Sequence, residues 1–160
     1  MKWFHKYILP ILFCVLFYDG VSQNNYELDS ATQAYFNEIG LEMDSCVDTR
    51  LYNLVCHWIE VPYQYGGSDF SGIDCSSFSK LIYDSLYHCS LSGGSENLFQ
   101  QCVPVEKELL EEGDFVFFKI AGNKISHVGI FLGKNKFVHA TTKIGVTIND
   151  LDEEYYKKYF

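Results

Sequence analysis

The hydrophobic period of this chain changes once, near Asp114, and that change constrains the fold more than any other feature. Upstream, apolar residues recur at helical spacing. The run "DSATQAYFNEIG" predicts a short helix with Asp29 or Ser30 as N-cap and Gly40 as its stop. Over Thr49 to Glu60, Leu51, Leu54, Val55, Trp58 and Ile59 line one face of a second helix, which Val61-Pro62 ends. A third helix is expected from Ser76 to Tyr87, capped by Asp74, with Phe78, Leu81, Ile82 and Ser85 turned inward. Residues 90–104 read as a loop with a short helix at Glu96 to Gln101. Downstream the period falls to two: "DFVFFKI", "SHVGIFLG", "KFVHATT" and "IGVTIND" are β-branched or aromatic runs separated by turn residues. The tetrapeptide "GKNK" joins two of them as a hairpin. Helices followed by an antiparallel meander predict an α+β fold, with the N-terminal helices packed on one face of a C-terminal antiparallel β-sheet.

With 48% hydrophobic and 17% aromatic residues in 160, the chain can build one well-filled core. Its first 22 residues carry the marks of an export signal. Lys2 and Lys6 form a basic start, Ile8 to Phe17 an apolar stretch too short to cross a bilayer, and Gly20-Val21-Ser22 a small-residue cleavage site. A lipid anchor on Cys14, or a buried N-terminal helix, is the lesser alternative. The expected organisation is a signal peptide over 1–22, a helical extension over 23–49 and the main domain over 50–160. Removing Lys2, Lys6 and Asp19 takes the formal charge from −9 to −10. Such an acidic chain lacks the basic footprint of a nucleic-acid binder and is not drawn to anionic lipid; no membrane span is expected in the mature protein.

Five cysteines remain after cleavage: Cys46, Cys56, Cys75, Cys89 and Cys102. An odd number leaves at least one thiol unpaired or shared between chains. Cys75 stands out because it opens the third helix behind "YGGSDFSGID", where free N–H groups and the helix dipole favour a thiolate. His127 and His139 fall on the two arms of the "GKNK" hairpin, across or diagonally across the ladder, on one face. One imidazole can then hold the other in a chosen tautomer. The residue types alone leave open that Cys75 is half a disulfide or a small buried hydrophobe, and that each histidine is structural. With Cys75 set aside, the pairings Cys46–Cys56 and Cys89–Cys102 close the smallest loops; the other reading leaves some of these as buried thiols. Cys56-His57 and His88-Cys89 lack a zinc-ligand spacing, so no metal is expected.

Taken together and in order, "PYQYGGSDFSGIDCSSF", "GDFVFF" and "SHVGIFLGKNKFVHA" resemble the signature of the NlpC-type cell-wall cysteine peptidases, a papain-like family. The likeness runs from about Leu51 to the C-terminus. It implies a papain-like fold, Cys75 as nucleophile, His127 as general base and acid, and His139 as the group that orients it. It also implies an oxyanion hole from Tyr63 and the Cys75 backbone N–H, with Asp74 and Ser76 lining the substrate pocket. The implied reaction cleaves peptide bonds of peptidoglycan stems, often between D-glutamate and diaminopimelate, through a thioester. It needs no cofactor, and the implied protein is a monomer exported to the periplasm or the outside of a bacterial envelope. Two positions depart from the family pattern: Ser77 replaces a glycine, and Leu91 to Ser95 replaces a run that usually carries an arginine. A papain-like amidase or acyltransferase, including a toxin aimed at another cell's wall, would use the same residues. A catalytically inactive wall-binding module would keep the fold alone.

Overall fold

The computed structural model describes residues 3–5, 28–42 and 47–160. Cys14, the Gly20 to Ser22 cleavage site and Cys46 lie outside the described residues. Five helices are described: α1 (Ser30–Glu38), α2 (Thr49–Trp58), α3 (Cys75–Tyr87), α4 (Ser95–Gln100) and α5 (Glu154–Tyr159). The strands are β1 (Trp3–His5), β2 (Ser68–Asp69), β3 (Gly72–Ile73), β4 (Val103–Val105), β5 (Phe115–Phe118), β6 (His127–Gly133), β7 (Lys136–Thr141) and β8 (Gly145–Asp150). Six of them form one antiparallel sheet in the order β4-β1-β5-β6-β7-β8, while β2 and β3 form a separate small hairpin. The fold is α+β.

The four downstream runs become β5 to β8, and β6 and β7 are joined as expected. Lys134 and Asn135 both take positive φ (46° and 61°), the two-residue turn whose twist matches the flanking strands. Alternation along the strands sorts the core into two layers. Val128, Ile130, Leu132, Val138, Ala140 and Val146 face α2 and α3, meeting Leu51, Val55, Phe78 and Ile82. Val116, Phe118, Phe131 and Phe137 point to the other face, which Leu151, Tyr156 and Phe160 cover. Helices therefore lie on both faces of the sheet rather than one: α5 is too short to be read by period, yet its aromatics close the second layer. The extension at 28–42 is part of the main body. Asp29 caps α1 by accepting from the N–H groups of Ala31 and Thr32, and the buried Phe36 meets Tyr52 edge-on at 4.7 Å.

Other details differ from expectation. On α3, Ser85 is exposed while Ser79 and Tyr83 are buried, because Tyr83 donates from its hydroxyl to the Gly113 carbonyl at 2.6 Å and stacks on Phe115. Residues Val103–Val105 form β4 and not a loop, pairing with β1. β1 itself comes from the segment assigned to the export signal, so cleavage after Ser22 would remove the strand that joins β4 to β5. Cys56, Cys89 and Cys102 are free thiols, which corrects both expected bridges, Cys46–Cys56 and Cys89–Cys102. Cys102 Sγ instead donates to the Leu98 carbonyl at 3.2 Å, satisfied within its own helical turn.

Candidate active site

Cys75 is the first residue of α3, and the chain before it is built to hold it there. Asp74 is the N-cap: its Oδ1 accepts from Ser77 N at 2.7 Å and from Ser76 Oγ at 2.8 Å. The other oxygen accepts from Gly66 N at 2.9 Å, tying the glycine turn to the helix start. Gly66 takes φ +72°, and a Cβ on Gly72 would strike the Gln64 side chain, so the tight β2–β3 hairpin depends on both positions being glycine. Asp74 and Ser76, read as pocket-lining, are each 8% exposed and bonded to one another. The hydrogen bonds outweigh burial and hold the Asp74 carboxyl below its usual range.

Tyr63 is fixed beside Cys75 by backbone pairing. It forms a parallel bridge with Ile73, with Ile73 N donating to Pro62 O at 3.0 Å and Gln64 N to Ile73 O at 3.3 Å. The same segment is clamped to β8: Glu60 N donates to Val146 O at 2.8 Å and Val146 N to Val61 O at 2.9 Å. Gly145 permits that approach, since a Cβ there would collide with the Val61 carbonyl. Burial, with the nearby Cys75 and Asp74, pushes the Tyr63 hydroxyl up.

The two histidines meet as the hairpin predicted. Ile130 pairs with Val138, so the next position along the ladder sets His139 opposite Gly129 and diagonal to His127. His127 Nε2 lies 2.6 Å from His139 Nδ1. Gly129 makes room for this contact: a Cβ there would come 2.7 Å from the Phe137 ring and 3.2 Å from His139 Cβ. Beyond His139 the chain of contacts continues. Its Nε2 is 2.9 Å from Asn149 Oδ1 and 3.3 Å from the Tyr156 hydroxyl. Asn149 Nδ2 donates to both carboxylate oxygens of Glu153, at 3.0 and 3.1 Å. Burial pulls both imidazoles well below their ordinary value, so the pair is neutral at pH 7.

Cys75 departs from the expected thiolate. At 8% exposure, burial pushes its thiol up to about 11, more than the Val128 N–H and the helix-start N–H groups can offset, and the Asp74 carboxylate adds to the rise. The Val128 N–H that lowers the thiol belongs to the residue after His127, which puts Cys75 near the start of β6. The resting site is thus a neutral thiol beside neutral imidazoles. A cleft of about 490 Å³ is lined by His127 and His139 together with Tyr63, Lys143, Ile144 and Tyr155. Among the described residues no cluster of His, Cys, Asp and Glu is arranged to hold a metal, and no helix is long and apolar enough to cross a membrane.

Asn149, Glu153 and Tyr156 join the site only in the folded structure. The signal for Asn149 was present: β7 and β8 pair His139 with Thr147, and period two then puts Asn149 on the same face. Glu153 and Tyr156 follow a turn whose geometry the sequence does not disclose.

Comparison with known proteins points to one family. The model of the NlpC/P60 family matches residues 60–160. The chain is 33% identical over 137 residues to a probable endopeptidase NlpC homolog of Haemophilus influenzae, spanning 84% of this chain and 72% of that one. It is 35% identical over 128 residues to the murein DD-endopeptidase MepS/murein LD-carboxypeptidase of Escherichia coli, spanning 80% of this chain and 66% of that one. Among solved structures, an NlpC/P60 family protein from Bacillus cereus superposes with a TM-score of 0.62 at 28% identity, covering 68% of this chain and 37% of that one.

Proposed function

The chain belongs to the NlpC/P60 family, and we propose that it is an exported cysteine peptidase that hydrolyses peptide bonds in peptidoglycan stem peptides. The observation that carries this reading is the polar relay His127–His139–Asn149, with the Val128 N–H next to His127 near enough to the Cys75 thiol to lower it. A buried imidazole pair ending on an amide is costly to maintain for packing alone and is suited to moving a proton to and from a nucleophile. The names of the relatives, a murein DD-endopeptidase/LD-carboxypeptidase and a probable endopeptidase NlpC homolog, support the substrate class.

Because thiol and imidazole both rest neutral, the reaction starts with proton transfer coupled to attack rather than from a preformed ion pair. The Cys75 sulfur adds to the scissile carbonyl carbon as its proton passes to His127 Nδ1, the ring nitrogen not engaged by His139. The carbonyl π electrons move to oxygen, where the Tyr63 hydroxyl and the Cys75 backbone N–H stabilise the charge. Collapse breaks the C–N bond; His127 returns its proton to the departing amine, leaving a thioester on Cys75. Water then attacks the thioester, giving its proton to His127. The thiol leaves as the C–S bond breaks, regaining that proton, and a carboxylic acid is released. Asp74 and Ser76 support this as the mount of Cys75, through their bonds to Gly66 and Ser77.

The test is to incubate the protein with purified stem peptides in heavy-oxygen water. Hydrolysis yields a new amine terminus and one heavy oxygen in the new carboxylate for each bond cut. Peptide transferred to an added amine without heavy oxygen would replace the hydrolase reading with acyl transfer. No new termini on any stem peptide would sink it.

A further inference from the structure

We propose that Asn149, held by Glu153, is a positioning residue that fixes which nitrogens of His139 and His127 carry protons, against a competing donor, Tyr156. The inference rests on the roles proposed above for Cys75 and His127.

An amide has one accepting end and one donating end, while a carboxylate only accepts. Glu153 lies 3.0 and 3.1 Å from Asn149 Nδ2 through its two oxygens, and its Oε1 is itself held by the Asp150 N–H at 2.8 Å. The NH₂ end of Asn149 must therefore face Glu153, and its carbonyl oxygen must face His139. At 2.9 Å from that oxygen, His139 Nε2 has to carry a hydrogen. Burial keeps His139 neutral, so its Nδ1 is bare and accepts. The group 2.6 Å away, His127 Nε2, must then donate. His127 is neutral too, which leaves a lone pair on Nδ1, the atom needed to take the thiol proton.

The same cluster has a second self-consistent pattern. The Tyr156 hydroxyl is 3.3 Å from both His139 Nε2 and Asn149 Oδ1. While His139 Nε2 carries a hydrogen, Tyr156 donates to Asn149. Without the Asn149 carbonyl, Tyr156 would donate to a bare Nε2 instead. The His139 proton would then sit on Nδ1 and point at His127 Nε2, and the His127 proton would move to Nδ1. That arrangement presents an N–H where the reaction needs a lone pair. Asn149 and Glu153 select between the two.

The experiment is long-range proton–nitrogen NMR of nitrogen-15-histidine-labelled full chain at pH 8, without substrate, alongside kinetics on stem peptides. In the wild type both His127 and His139 should give the Nε2–H signature. Asn149→Ala should convert both to Nδ1–H and lower kcat by roughly 10²-fold or more, the scale of a lost or misoriented general base, with KM little changed. The exchange Asn149→Asp with Glu153→Gln keeps an acceptor towards His139 and a donor–acceptor pair behind it. It should retain the Nε2–H signature and bring kcat back to within about tenfold of wild type, the cost of one altered hydrogen bond. A folded Asn149→Ala protein, judged by an unchanged far-UV spectrum and a cooperative melt, that keeps both Nε2–H signatures overturns the proposal, whatever its activity. Stem-peptide cleavage that survives Cys75→Ala would instead overturn the catalytic reading and leave the tautomer result standing.

Discussion

Acid should destabilise this protein through its histidine pair, well above the range where carboxylates titrate. His139 is 0% exposed and His127 is half-buried, and the two share a 2.6 Å hydrogen bond. Adding a proton to His139 means placing it on Nδ1, where His127 already donates. Burial holds both below the ordinary value, and the mutual repulsion of two charged rings lowers His127 further. In the unfolded chain each titrates near ~6.5. The folded values are the depressed ones, so the stabilisation is complete above the unfolded pKa and is lost as pH falls through it. Between pH 8 and 5.5 the linkage relation gives about 1.4 kcal/mol for His139 alone and up to ~2.8 kcal/mol for the pair. That is a large share of a typical ~5–15 kcal/mol total. Urea unfolding at pH 8, 6.5 and 5.5 measures it, with the His127→Gln/His139→Gln double variant as reference. Asp48 and Asp74, also held low, act only at lower pH. The wild type should lose at least about 1.4 kcal/mol more than the double variant over this interval. Parallel stability curves for the two proteins would refute the claim that the pair is buried and neutral.

Three further outcomes follow from the same contacts. Gly129→Ala would drive a Cβ to 2.8 Å from the Val138 carbonyl as well as into the Phe137 ring, so we expect about 1–3 kcal/mol of destabilisation and a disproportionate fall in kcat as His139 is displaced; thermal melts and kinetics read both, and an unchanged variant would contradict the close approach. Tyr63→Phe removes a proposed oxyanion donor without touching the backbone bridge to Ile73, and should lower kcat by roughly 10²–10³-fold with little change in melting temperature. Iodoacetamide should modify Cys75 slowly at pH 7.5 and faster as pH approaches 11, in a peptide-mapped time course; Cys75 outpacing Cys56 and Cys89 at neutral pH would show that its thiol is not suppressed by burial.

Much of this was legible in the sequence, for identifiable reasons. The period change placed α2, α3 and β5 to β8 within a few residues, because each of those elements buries one face against a neighbour. The "GKNK" turn fixed the register closely enough to bring His127 and His139 together, since a hairpin loop of two residues leaves little freedom. Asp74 was readable as a cap from its position alone. What escaped was long-range or collective. The aromatic run Tyr155, Tyr156, Tyr159 and Phe160 marks a segment that packs on the sheet, but its helical form does not show, because α5 has six residues and takes its place only when Phe118 and Phe137 offer it a surface. The state of Cys75 was misjudged because a helix start favours a thiolate, whereas the depth at which α3 meets β6 decides the opposite, and depth is not written in local sequence. The free thiols of Cys89 and Cys102 show the same limit: their spacing permitted a bridge, but Cys102 is satisfied by its own helix.

The proposed chemistry sets the Cys75 sulfur against the scissile carbonyl of a peptidoglycan stem peptide. It is tested most directly by the initial rate of amine release from a purified stem peptide, wild type against Cys75→Ala, with both proteins confirmed folded by thermal melts. The wild type should release amine, and the rate should fall at least about 10³-fold in the variant, as expected when a covalent nucleophile is removed. Equal rates from the two proteins would contradict it.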